Sequence, residues 1–114
     1  MKFNSSINHD YLLLTLDGNL IGEDMGSGIL EVANEAITDR ILKCVIDIEN
    51  VKYINSTGIG VLITLLTKFR NQGGEVVIIK PSEHVQKLLI ITKLTAIFKI
   101  ADSIEEAIDS LQQS

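Results

Sequence analysis

The 114-residue chain has no tryptophan, one proline and one cysteine, and aromatic side chains make up only 4% of it. With so few rings, the core has to be assembled from Ile, Leu and Val. The hydrophobic content of 46% supplies enough of these for one small domain. A lone Cys44 rules out an internal disulfide and a cysteine-based metal site. It lies inside an apolar run, the setting of a small buried hydrophobe and not of a reactive thiol. A basic excess is missing as well. Fifteen acidic residues against ten basic ones leave a formal charge of −5. That balance argues against nucleic acid, which needs a basic surface, and it does not suit anionic lipid. No apolar stretch reaches the roughly 20 residues that span a bilayer, so no membrane insertion is expected. The N-terminal Met1-Lys2-Phe3-Asn4-Ser5-Ser6 has no apolar signal core. One cytoplasmic domain over residues 1–114 is the expectation.

Signatures of catalysis are also lacking. There is no Gly-x-Ser-x-Gly nucleophile elbow, and no lysine follows a glycine as a phosphate-binding loop requires. Gly22, Gly26 and Gly28 do not have the dinucleotide-binding spacing, and flexible backbone is the better reading of that stretch. His9 falls in a turn and His84 on the outer side of a helix, without Cys or His partners, so neither suggests a metal ligand. Asp47 and Glu49 share one strand face, where solvation at a strand end explains them better than a catalytic pair. No nucleophile, base and oxyanion hole come together. The residues by themselves give no sign of a catalytic site.

What is present is an alternation of strands and helices. Residues 3–7 and 11–16 read as two strands joined by a turn at His9-Asp10. Ile29, Val32, Ala33, Ala36 and Ile37 recur at helical spacing, in a helix ending near Asp39. Residues 42–48 are apolar at nearly every position and read as a central strand covered on both faces. A helix follows to about Asn71 and is ended by Gly73-Gly74. Residues 75–80 form the next strand. Ser82 caps a helix with Val85, Leu88, Leu89 and Thr92 inward, and residues 97–100 can form an edge strand. Asp102 or Ser103 caps a last helix with Ile104, Ala107, Ile108 and Leu111 inward. This order predicts an α/β fold: a mostly parallel four- to five-stranded sheet, an antiparallel N-terminal hairpin and about four helices.

The stretch Asn55-Ser56-Thr57-Gly58-Ile59-Gly60 stands where the central strand hands over to a helix. In open α/β sheets, ligands and partners are met at such a place. The unpaired N–H groups and positive dipole of a helix start also suit negative charge. Two readings of the hydroxyls are open: helix capping alone, or a phosphoacceptor.

Residues 47–62, read as Asp47-Ile48-Glu49-Asn50-Val51-Lys52-Tyr53-Ile54-Asn55-Ser56-Thr57-Gly58-Ile59-Gly60-Val61-Leu62, resemble the signature of the STAS domain family. Bacterial anti-sigma factor antagonists of that family carry a similar Asp-Ser-Ser/Thr-Gly-Leu-Gly-Val turn. The likeness continues through Leu16-Asp17-Gly18-Asn19-Leu20, the strand from Gly73, the helix around Leu88 and the ending at residues 100–108. It implies a protein that binds an anti-sigma factor, itself a serine kinase of the histidine-kinase-like ATPase fold, and so releases a sigma factor. Phosphorylation at Ser56, with Thr57 as the alternative, would abolish binding, and a phosphatase would restore it; the resemblance also implies that the antagonist itself is not an enzyme and needs no cofactor. The resemblance places partner contacts at Asn55, Ser56, Thr57, Gly58, Asn19, Glu23 and Asp24, in a monomer or weak dimer. Alternatives are a STAS module that binds without phosphorylation, as a scaffold or transport-complex subunit, and a small nucleotide binder or enzyme. Three positions depart from the family pattern: Asn55 replaces Asp, Gly18-Asn19-Leu20-Ile21 replaces Gly-Glu-Leu-Asp, and Lys93 replaces Gly. Lys93 is accordingly expected to adopt positive φ.

Overall fold

The computed structural model describes residues 2–21 and 25–112. It contains β1 (Lys2–Asn8), β2 (Tyr11–Leu20), α1 (Met25–Thr38), β3 (Lys43–Ile54), α2 (Ser56–Asn71), β4 (Glu75–Ile79), α3 (Glu83–Ile91), β5 (Lys99–Ala101) and α4 (Ile104–Gln112). A short 3-10 turn, Leu94–Ala96, precedes β5. The strands form one sheet in the order β1-β2-β3-β4-β5, in which β1 and β2 are antiparallel and every other pair is parallel. The expected fold class is the observed one.

Alternation along the strands builds two apolar layers. Leu12, Leu14, Leu16, Cys44, Ile46, Ile48, Val76 and Ile78 face the main core, with α1, α2 and α3 above them. Tyr11, Val45, Val77 and Ile79 face the other way, onto Ala107 and Leu111 of α4. The central strand is therefore covered on both sides, as its unbroken apolar run requires. Cys44 is fully buried, and burial pushes its thiol well above the ordinary range.

The differences from expectation lie at element ends. Both β2 and β3 continue beyond the positions where their apolar runs stop. β2 passes through Asp17-Gly18 to Leu20 and β3 runs on to Ile54, with register irregularities at 15–17 and 18–20 absorbing the mismatch. Gly18 takes a φ of 107° there, a conformation that favours glycine. The last edge strand starts at Lys99, because residues 94–96 coil into the 3-10 turn first. Thr92 is exposed and caps the end of α3, its hydroxyl donating to the Leu88 carbonyl at 2.8 Å. Ser103 caps α4 by accepting from the Glu106 N–H at 3.2 Å. Lys93 has a φ of 62°, as its place at a glycine position implies.

Candidate functional site

The site is a junction of three chain segments at one end of the sheet. Leu20, which ends β2, pairs with Ile54, which ends β3. The chain then turns at Asn55 and enters α2. Asn55 holds the turn from both sides. Its backbone N–H donates to the Leu20 carbonyl at 3.2 Å, and its Nδ2 donates to the Ile21 carbonyl at 3.4 Å. Its Oδ1 accepts from the Gly58 N–H at 2.9 Å, capping α2.

That cap separates the two readings of the hydroxyls. Asn55 is the N-cap, so neither Ser56 nor Thr57 is needed for capping. Both are exposed, at the first two positions of the helix. Among the described residues, neither hydroxyl has a hydrogen-bond partner, and their backbone N–H groups have no acceptor. The first turn of α2 contains no acidic residue. The result is a reachable hydroxyl beside free N–H donors at a positive helix end.

Gly58 is required by close approach. A Cβ built there would lie 2.1 Å from the Leu20 carbonyl oxygen, so only glycine lets α2 rest on the end of β2. Gly60, one turn after Ser56, is different: a Cβ there would meet nothing within 4 Å. The space beside Ser56 is therefore open to an approaching partner.

Of the expected contact residues, the fold brings Asn55, Ser56, Thr57 and Gly58 together. Asn19 is exposed and next to Leu20, on the segment that Asn55 grips. Glu23 and Asp24 lie outside the described residues. The sequence reading missed Ile21 and Tyr53. Both flank the turn and are about half exposed, at 52% and 48%. Large apolar side chains left in water are what the centre of a protein-binding patch contains, whereas its rim is polar. The signal was their position at the ends of two strands whose extra length the apolar runs did not reveal. Asp47 is not half of a carboxylate pair: its Oδ1 accepts from the Glu49 N–H at 3.0 Å, and its Oδ2 lies 3.9 Å from Lys80 Nζ. No group of His, Cys, Asp and Glu suited to a metal ion occurs among the described residues. No helix among them is long and apolar enough to cross a membrane.

Comparison with known proteins agrees with this architecture. The STAS domain profile matches residues 2–107. A Thermotoga neapolitana protein, provisionally named an anti-sigma factor antagonist, is 32% identical over 81 residues, covering 71% of this chain and 72% of its own. The crystal structure of a Thermotoga maritima protein with a like provisional name superposes with a TM-score of 0.85 at 23% identity, over 96% of this chain and 94% of that one. The Bacillus cell fate determinant SpoIIAA in its phosphorylated form has a TM-score of 0.73 at 19% identity, over 96% and 98% of the two chains. At such identities the superpositions speak for the fold, while the profile and the sequence relative speak for descent. The chain belongs to the STAS domain family, among relatives that carry the name of anti-sigma factor antagonists.

Proposed function

We propose that this protein is an anti-sigma factor antagonist acting in the cytoplasm, and that Ser56 is its phosphorylation switch. The unmodified form binds an anti-sigma factor that is also a serine kinase, and a sigma factor is thereby set free. The kinase then transfers a phosphoryl group to Ser56, the complex separates, and a phosphatase returns the protein to its binding form. In this reading the chain is a binding partner and not a catalyst.

The observation that carries the reading is the division of labour at the start of α2. Asn55 does the capping, which leaves the Ser56 hydroxyl exposed and unengaged. Phosphate adds about −1.5 to −2 charges at neutral pH. The free N–H groups of Ser56 and Thr57 can accommodate that charge locally, so the fold tolerates the modification. A partner seated over Ile21, Tyr53 and the open side of Gly60 would instead have to desolvate it. Neutral Asn55, in place of the family's Asp, and the uncharged Asn19 and Ile21 also favour a second reading, a module that binds without being phosphorylated.

Incubation with ATP and the anti-sigma kinase of the same cell, followed by mass spectrometry, separates the readings. Label on Ser56 is expected. Label on Thr57 with none on Ser56 would overturn the assignment, and no label despite complex formation would establish the unphosphorylated module.

A further inference from the structure

At the other end of the sheet a second surface is left open. Among the described residues, β1 is an edge strand, paired only with β2. Natural edges are blunted by charge, proline, bulges or shortness. β5, the opposite edge, is only three residues long and begins with Lys99. β1 is seven residues long, has no charge after Lys2, no proline, and an unbroken register with β2 from Lys2↔Asp17 to Asn8↔Tyr11. Ile7, near its end, is 51% exposed.

A cleft of about 230 Å³ runs between this strand and α1, floored by Ile7, Leu12, Val32 and Ala36 and bordered by Glu35 and Asp39. The same two carboxylates border the adjoining depression on α1, together with Glu31. None of the three has a cationic partner among the described residues. An unpaired strand edge, an apolar floor and a row of free carboxylates thus lie side by side.

We infer that β1 and α1 form a docking edge for an extended peptide that joins the sheet as a sixth strand and presents apolar and basic residues in turn on the one face that meets α1. Backbone hydrogen bonds to β1 would supply the pairing; on the α1 face, which every second side chain of the peptide shares, an apolar residue would fill the cleft and a basic residue two positions away would reach Glu35 and Asp39. A second copy of this chain fits less well. Antiparallel pairing of two β1 edges keeps the helix-bearing faces on the same side, which sets α1 beside its own copy, acid row against acid row. The cleft lies where β2 begins, whereas Ser56 follows the end of β3 that pairs with the end of β2. The two surfaces can therefore be occupied together, and this inference does not depend on the role of Ser56.

The test uses the full chain and a fluorescein-labelled nonapeptide with threonine at the odd positions and valine and lysine in turn at the even ones, so that valine and lysine share one face, with a peptide carrying glutamate in place of lysine as control. At low salt the lysine peptide is expected to raise anisotropy saturably and to slow amide exchange in residues 2–8, leaving the Ser56 turn unperturbed. The double variant Glu35→Lys, Asp39→Lys should weaken binding at least about tenfold. Both positions are exposed, and an unchanged melting curve would show that the fold is kept. Ile7→Asp provides an independent variant with the same expected loss. No binding up to about 1 mM peptide, equal binding of the glutamate peptide, unchanged affinity in both variants, or a dimer formed through β1 in sedimentation would each overturn the inference.

Discussion

At the scale of single residues, the two glycines that follow Ser56, at positions 58 and 60, behave oppositely. Gly58→Ala forces a methyl group against the Leu20 carbonyl and should cost on the order of 1–3 kcal/mol, seen as a lower urea midpoint. Gly60→Ala meets nothing and removes a flexible residue from a helix, so it should raise stability by about 0.5–1 kcal/mol. The same methyl stands in the open space beside Ser56, so the stabilised variant should bind its partner less well. Lys93, at a φ of 62°, holds a conformation that costs a non-glycine residue about 1 kcal/mol. Lys93→Gly should recover a fraction of that, measurable as a modest rise in the same midpoint. Cys44 gives a pH signature. Its buried thiol titrates far above the unfolded one, so it contributes stability that is fully present below about pH 8.5 and is lost as pH rises beyond it, by about 1.4 kcal/mol per unit. Cys44→Ala, although less stable overall, should show a correspondingly flatter decline between pH 9 and 11.

Among the elements, what could be read from the sequence was what periodicity and capping chemistry control. The stripe from Ile29 to Ile37, the Ser82 cap and the apolar run around Cys44 each follow one local rule, and each is in place. The ends of β2 and β3 were not legible. Residues 17–20 and 49–54 carry charged and polar side chains at exposed positions, and they remain in the sheet because each is the other's partner. Pairing between distant segments decides those residues, and no local pattern records it. The candidate site shows the same division. Its hydroxyls and glycines stand out in the sequence, but the assignment of capping to Asn55 and the exposure of Ile21 and Tyr53 depend on how β2 ends against α2. Asn55→Ala would remove both side-chain bonds of that junction and should cost about 1 kcal/mol. Asn55→Asp keeps the cap, loses only the bond to Ile21, and adds the charge usual in the family. It should fold normally and change affinity for the anti-sigma factor.

For the molecule as a whole, the account rests on a rigid scaffold that carries a chemical switch without changing shape. The sheet is covered by α1, α2 and α3 on one face and α4 on the other, and Ser56 lies outside that core. A surface substitution there should move stability by no more than about 0.5 kcal/mol. Ser56→Asp and Ser56→Ala are therefore both expected to melt close to the parent protein. The most direct test is a titration of the anti-sigma factor with the unmodified protein and with protein carrying phosphoserine at position 56. The account predicts tight binding of the first and a loss of at least about 100-fold for the second, equivalent to nearly 3 kcal/mol at the interface. Equal affinity of the two forms would contradict it.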